Sequence, residues 1–320
     1  MSRVLVGDVG GTNVRFALAE TMADGTIHLH DPDIFPVREF PAFDDAARLY
    51  LSNTGSAPDR AAFAFAGPKT GDTIRMTNVD WTVSESGLRG AFGLRDAVLM
   101  NDFVAMAYGV SIMADTAFET VVEGSVPDPA TPVAVLGPGT GLGLASILPD
   151  DPPRVLATEG GHAALSPIGD LEIAVWRYWL ERQDFVSAET LLSGSGLHRV
   201  YRALCDATGN ALDLSNEEEV VLIALSDPAS VARQSVDLFC GMLGTYAGNA
   251  ALMLGAGSVT LAGGVTRHVA PFFAESDFTA RFRERGAGSG YLADMPVRRI
   301  VASYAPLYGA ALRSVRPASP

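Results

Sequence analysis

Short apolar runs with β character alternate along the chain with longer segments of helical period. Val4–Asp8 and Val14–Ala19 are β-rich and flank Val9-Gly10-Gly11-Thr12-Asn13, which reads as a hairpin around a glycine turn. Further strands are expected at Ile27–Val37, Ala61–Ala66, Thr73–Thr77 and Ala97–Met100. Helices are expected near Phe43–Ser52 and Ser84–Ala91, and from Asn101 through Met113. A second hairpin signal follows, with Val133–Gly137 and Gly143–Leu148 on either side of Pro138-Gly139-Thr140-Gly141-Leu142. Gly11-Thr12 and Gly139-Thr140 thus occupy comparable turns, a hint of internal duplication that would let two such turns face one ligand.

The second half is mostly helical, with segments near Leu171–Arg182, Gly194–Ala207 and Glu217–Leu225 and a long helix from about Ala229 to Leu254. Gly241, Gly244 and Gly248 weaken that helix intrinsically, and close helix-to-helix approach would explain them. No charged residue occurs from Leu238 to Thr266, a stretch long enough to span a bilayer. It contains seven glycines and breaks near Gly255-Ala256-Gly257, so it reads as a buried helix followed by a buried strand, Val259–Ala262. The tail carries a strand at Val297–Ala302 and a helix from Leu307 to about Arg313.

A length of 320 residues exceeds one small core and suits two α/β domains sharing a cleft. Hydrophobic residues at 48% and charged residues at 19% describe an ordered globular chain. The formal net charge of -14 repels nucleic-acid backbones and anionic lipid, so neither is expected as a partner. Lys69 is the only lysine, which rules out a P-loop, because no lysine follows a glycine. Cys205 and Cys240 form no CxxC pair and read as buried thiols. The first strand begins almost at once, with no signal peptide, and a cytoplasmic protein is expected.

The sharpest local signal is Gly7-Asp8-Val9-Gly10-Gly11-Thr12-Asn13-Val14-Arg15. Adjacent glycines let backbone N–H groups approach an anion, and Thr12 adds a hydroxyl. Asp8 would repel phosphate unless a divalent cation, held through water, lay between them. The plainer alternative is an ordinary hairpin turn with a surface Asp. Gly139 and Thr140 make a second phosphate cradle candidate, which fails as a Rossmann fingerprint because the third glycine position falls on Leu142 or Leu144. Gly263 and Gly264, after a buried strand, permit either a flat ring against backbone or simply a tight strand-to-helix turn.

Asn101-Asp102 follows an apolar strand and opens a helix. Capping alone accounts for both residues. Alternatively Asp102 is a base, its pKa lowered by the helix N-terminus, which suits late proton acceptance in a loose phosphoryl transfer. Glu159 and His162 are joined across two glycines, and Glu189 follows in Ser187-Ala188-Glu189. With Asn101 they supply the alternating donors and acceptors that a polyhydroxylated ligand needs, although a lone His is more often structural. His28, His30, His198 and His268 carry no such signal, and GxSxG, HExxH and CxxC motifs are absent.

Taken together, these segments resemble the bacterial glucokinase family, in the branch without the zinc-binding cysteine motif of the repressor–ORF–kinase group. The resemblance rests on Gly7–Asn13, Met76-Thr77-Asn78, Asn101-Asp102-Phe103, Gly139–Gly143, Glu159–His162, Ser187-Ala188-Glu189 with Leu192-Ser193-Gly194, and Leu261–Gly264, in order over nearly the whole chain. Pro138, where Ala is also common, and Gly67-Pro68, after a strand that often ends in Cys-Pro, are the departures. The resemblance implies an α/β, two-domain actin-like ATPase (ribonuclease H-like) fold with mixed sheets and a cleft between domains. The small domain would comprise 1–112 with the C-terminal helix 304–320, and the large domain 113–303. The resemblance further implies ATP with magnesium as phosphoryl donor and glucose as acceptor. Gly7, Asp8, Val9, Gly10, Gly11 and Thr12, with Gly139, Thr140, Gly263 and Gly264, would hold the nucleotide, and Asp8 would lie near the magnesium. Asp102 would be the catalytic base toward the sugar 6-hydroxyl, with Asn101, Glu159, His162 and Glu189 on the other hydroxyls. A homodimer is expected.

Overall fold

Strand β1 (Val4–Val9) is buried at every position, as a central strand covered on both faces must be. It turns back into β2 (Asn13–Thr21), pairing antiparallel from Val4↔Ala19 to Val9↔Val14, so the expected glycine hairpin is present. β3 (Ile27–Pro36) extends the meander, while β4 (Arg60–Phe65) and β8 (Asp96–Asn101) run parallel to β1 on its other side. The sheet order is β3-β2-β1-β4-β8. Between β4 and β8 the chain builds a small sheet from β5 (Lys69–Thr70), β6 (Thr73–Arg75) and β7 (Thr82–Ser84).

The computed structural model describes residues 3–76 and 79–314. Thr77 and Asn78, the end of the strand expected at Thr73–Thr77, lie outside the described residues, as do residues 315–320 of the C-terminal segment.

The chain divides into two compact units. The first runs to Asp115 and takes in Pro152–Val155 and everything from Ala302 onward. The second comprises Thr116–Asp151 and Leu156–Val301.

In the first unit one face of the five-stranded sheet is aromatic. Phe16, Phe43, Phe63 and Phe65 pack with Tyr50, and the Phe43 and Phe63 ring centroids lie 4.9 Å apart. The other face presents Ala17, Ala62 and Ala64, which leave room for the helices Asp102–Val110 and Ala305–Ser314. These two helices meet through glycine. A Cβ on Gly109 would strike the Ala305 carbonyl, and one on Gly309 would strike the Ala105 carbonyl. That crossing seats the helix on which Asp102 is the first residue.

The second unit repeats the scheme. β10 (Val133–Pro138) and β11 (Leu142–Leu148) form an antiparallel hairpin, and β13 (Ser258–Leu261) runs parallel to β10, as β14 (Val297–Ile300) does to β13. With β9 (Phe118–Val122) and β12 (Arg154–Thr158) the order is β12-β11-β10-β13-β14-β9. A hairpin followed by parallel strands on its inner side thus occurs twice, so the duplication hinted at by the glycine turns is a property of both sheets. Neither β9 nor β12 is among the strands that the apolar pattern predicts. Both are terminal strands of their sheet, and Val122 is their one buried residue, so neither needs an apolar alternation.

The long helix, Val231–Leu254, lies in the core of this unit. Its glycines do serve close approach at two of the three positions. A Cβ on Gly244 would strike the Phe278 carbonyl, and one on Gly248 would stand 2.6 Å from the Phe282 carbonyl oxygen, both on the helix Phe278–Arg283. At Gly241 the same atom would find ordinary contacts near 3.8 Å. Among the described residues no helix is long and apolar enough to cross a membrane. Cys205 and Cys240 are buried and unpaired by disulfide, as the sequence suggests.

Candidate active site

In the first unit, the candidate residues gather at the C-terminal ends of parallel strands. Asp8 is the fifth residue of β1 and only 9% exposed. The hairpin register sets it opposite Arg15, whose Nη1 lies 3.1 Å from Asp8 Oδ2. Burial raises the Asp8 pKa and the Arg15 guanidinium opposes that rise. Asn101 ends β8 beside Phe65 of β4. Its Oδ1 accepts from the Phe103 and Val104 amides at 2.9 and 3.2 Å, and its Nδ2 donates to the Gly67 carbonyl at 3.4 Å. The capping role is therefore real, and the Asn101 side chain also hydrogen-bonds the Asp102 carboxyl.

Asp102 contradicts its sequence expectation. A helix start was expected to lower its pKa, and the Phe103 amide does donate to its Oδ1 at 2.8 Å. Loss of hydration is the larger effect and the negative charge of Asp8 adds to it, so the Asp102 carboxyl is pushed up to about 7. Desolvation and a like charge together outweigh the helix terminus. The result suits a general base better than the expected value, because a proton acceptor works best with a pKa near the operating pH.

In the second unit, three separate stretches of sequence converge on the turn between β10 and β11. Gly139 donates its N–H to the Gly141 carbonyl, and its own carbonyl accepts from Gly194, the first residue of the helix Gly194–Thr208. Glu189 Oε2 accepts from the Leu142 amide at 2.8 Å, and a Cβ on Gly141 would stand 2.5 Å from that same oxygen. The turn Gly160–His162 lies against β11 because Gly160 and Gly161 have no side chains. A Cβ on either would strike Leu144 or the Leu142 carbonyl. Tyr246 of the long helix anchors this turn from behind, its hydroxyl donating to the Gly160 carbonyl at 2.5 Å. A bridge between Ala164 and Ser187 then ties it to the Glu189 segment. Glu159 and His162 project with exposed side chains, Oε2 of the one 3.9 Å from Nε2 of the other.

The glycines sort into two kinds. Gly7 lies inside β1, where a Cβ would press on Phe63 at 2.8 Å, and Val9 is in the apolar core, so both serve packing. Gly263 has φ +85 and its Cβ would strike the Pro138 carbonyl, so the fold itself demands glycine there. Gly10, Gly139 and Gly264 are different. None has positive φ, and a Cβ would meet nothing closer than 3.6 Å at Gly10 and nothing within 4 Å at the other two. Internal packing does not explain glycine at these three positions. The Gly10 amide, however, is taken by the Asn13 carbonyl at 3.0 Å, so it is not free for an anion as the sequence reading assumed. Thr12 is exposed at the tip, its carbonyl held by the Val37 amide, and Gly11 precedes it. In the second turn Thr140 is exposed too.

Among the described residues no group of three or more His, Cys, Asp or Glu could cage a metal ion. Magnesium carried on a nucleotide does not need a cage, since one or two carboxylates and the phosphates suffice. Asp8 fits that need. It is buried and it meets a single guanidinium through Oδ2, while loss of hydration raises its pKa.

The sequence reading missed Arg15 and Tyr246. Arg15 could have been found by counting back along the hairpin, which sets position 15 opposite position 8. Tyr246 lies in a helix whose period marks it only as core, so no local signal pointed to Gly160.

Two sheets of like topology, each led by a glycine-turned hairpin, define the two-domain actin-like ATPase fold. The comparisons agree. The glucokinase family model matches residues 5–316. A glucokinase of Chromobacterium violaceum is 42% identical over 96% of this chain and 88% of its own. The crystal structure of a glucokinase from an Antarctic psychrotroph is 31% identical, with a TM-score of 0.87 over 98% of this chain and 99% of that one. A Balamuthia mandrillaris glucokinase solved in complex with glucose is 22% identical with a TM-score of 0.82, covering 98% and 94%, and speaks for the fold alone. This chain belongs to the glucokinase family.

Proposed function

We infer that this chain is an ATP-dependent hexose kinase that transfers the γ-phosphoryl of ATP to the 6-hydroxyl of glucose, yielding glucose 6-phosphate and ADP. The observation that carries the reading is the Asp102 carboxyl at the end of β8, held near neutrality by burial and by Asp8, in a chain of the glucokinase family.

Asp102 orients the sugar hydroxyl and takes its proton as that oxygen bonds to phosphorus and the bond to the β-phosphate bridging oxygen breaks. Phosphoryl transfer has a loose transition state, so the proton is accepted late and most of the catalysis is positioning. Asn101, Glu159, His162 and Glu189 hold the remaining hydroxyls. Of these, Glu189 is already oriented by the Leu142 amide. The hairpin turns around Gly10-Gly11-Thr12 and Gly139-Thr140, with Gly263 and Gly264, present backbone to the nucleotide. Asp8 would hold magnesium through water, and that ion would neutralise phosphate charge. Arg15 opposes the rise that burial gives the Asp8 pKa.

We propose that the first unit serves as the small domain and the second as the large domain. The same reading makes the protein a cytoplasmic homodimer acting at the entry to glycolysis. A panel of hexoses assayed with ATP and magnesium tests it. Glucose-dependent release of ADP with phosphate on O6 is expected, and ADP release indifferent to every hexose would sink the assignment.

A further inference from the structure

β8 is the edge strand of the first sheet, and among the described residues no strand pairs with its outward backbone groups. At Leu99, two residues before Asn101, side chains take the place of that strand. The Leu99 amide donates to Glu85 Oε1 at 2.9 Å, and the Leu99 carbonyl accepts from Lys69 Nζ at 2.9 Å. Lys69 Nζ also donates to the same Glu85 oxygen at 2.6 Å, closing a triangle on one peptide position.

The origin of these two residues makes the contact more than edge protection. The chain leaves β4 at Phe65, beside Asn101, and runs through Gly67 to Lys69. On the way the Gly67 carbonyl accepts from Asn101 Nδ2. Glu85 opens the helix Glu85–Phe92 directly after β7. One segment therefore holds the end of β8 at two points, Leu99 and Asn101, and Glu85 holds the Leu99 amide beside Lys69. Both side chains are only partly exposed, at 33% for Lys69 and 20% for Glu85. The strand end so fixed is the last element before Asp102.

We propose that Lys69 and Glu85 are positioning residues for the Asn101-Asp102 pair, acting by clamping the Leu99 peptide at the sheet edge. The proposal rests on the kinase reading above. A group that sets the alignment of a base lowers turnover when lost while leaving nucleotide binding intact. A misplacement of about 1 Å can cost as much as a hundredfold, and a clamp two residues away is expected to cost roughly tenfold.

The test compares wild type with Lys69→Met, Lys69→Arg and Glu85→Gln in a coupled glucose and ATP assay with full progress to kcat and both KM values. Wild-type turnover is measured first, and its absence would count against the kinase reading rather than against the clamp. Lys69→Met is expected to lower kcat roughly tenfold with the KM for ATP within about twofold. Lys69→Arg, which retains donors that can reach both partners, is expected to recover most of the loss. Glu85→Gln keeps an acceptor for the Leu99 amide and is expected to fall between. Because Lys69 is the chain's only lysine, a second measurement needs no variant that could misfold. Acetylating the amines of the folded enzyme removes the Lys69 charge, reductive methylation keeps it, and Lys69→Arg treated alike controls for the N-terminal amine. Acetylation alone is expected to reduce kcat. Unchanged kcat in both Lys69→Met and the acetylated enzyme, or equal losses in Lys69→Met and Lys69→Arg, would overturn the proposal.

Discussion

The negative charge of Asp8 raises the pKa of Asp102, although one lies in β1 and the other directly follows β8. β4 lies between β1 and β8, and the parallel register carries Asp8 to Ala64 and Ala64 to Met100, bringing both carboxylates to the same end. Two buried carboxylates thus stand at one end of the sheet, and Arg15 pairs with Asp8.

The pH dependence of catalysis follows from this. With its pKa pushed up to about 7 in the free protein, Asp102 is only half ionised at neutrality. The kcat/KM for glucose should rise with pH through a limb centred near 7, since kcat/KM reports the free enzyme. A flat profile from about pH 5.5 to 8 would show that Asp102 is not the group whose ionisation matters.

Stability carries the opposite sign. The folded-state pKa of Asp102 lies above the ordinary 3.8, so between those values the native chain binds more protons than the unfolded one. The Asp102 contribution is fully present below about pH 4 and is lost as pH rises through about 7. Asp102→Asn keeps an oxygen for the Phe103 amide without the charge, and should gain on the order of 1 kcal/mol over wild type at pH 8. Thermal melts at pH 8 and pH 4 check this, with the difference expected at the higher pH alone.

Glu189 has a dual contact to lose. Its Oε2 holds the Leu142 amide, and the rest of the carboxylate is assigned to a sugar hydroxyl. Glu189→Gln retains an acceptor for Leu142 but weakens a charge-assisted bond, so the glucose KM should rise roughly tenfold. The KM for ATP should stay put. An unchanged glucose affinity in calorimetry would remove Glu189 from the sugar site.

Two glycines separate site geometry from fold stability. Gly161→Ala pushes a methyl into the Leu142 carbonyl and displaces the turn that bears Glu159 and His162, so glucose binding should suffer first. Gly309→Ala instead forces apart the helices Asp102–Val110 and Ala305–Ser314. Overpacking of that kind costs about 1–3 kcal/mol, and denaturant melts should show it.

How much of this was legible from sequence depends on how local the cause is. Both hairpins were readable because paired glycines between β-rich runs carry their own signal, and the helix of Val231–Leu254 because its period persists over many turns. β9 and β12 were not, since an exposed edge strand imposes no apolar alternation. Within the site, Asn101 showed itself as a cap because capping is a matter of adjacent residues. The Asp102 pKa was misread, because its largest causes are burial and a carboxylate brought close only by the strand order. The Lys69–Glu85 clamp was invisible for the same reason, since nothing in either stretch of sequence announces Leu99 as a partner.

The central claim is that Asp102 handles the proton of a sugar hydroxyl. Its most direct test is single-turnover phosphorylation of glucose by Asp102→Ala, with glucose affinity measured calorimetrically on the same preparation. The account predicts a rate lower by roughly a hundredfold or more with glucose affinity nearly retained. A variant that phosphorylates glucose at the wild-type rate would contradict it.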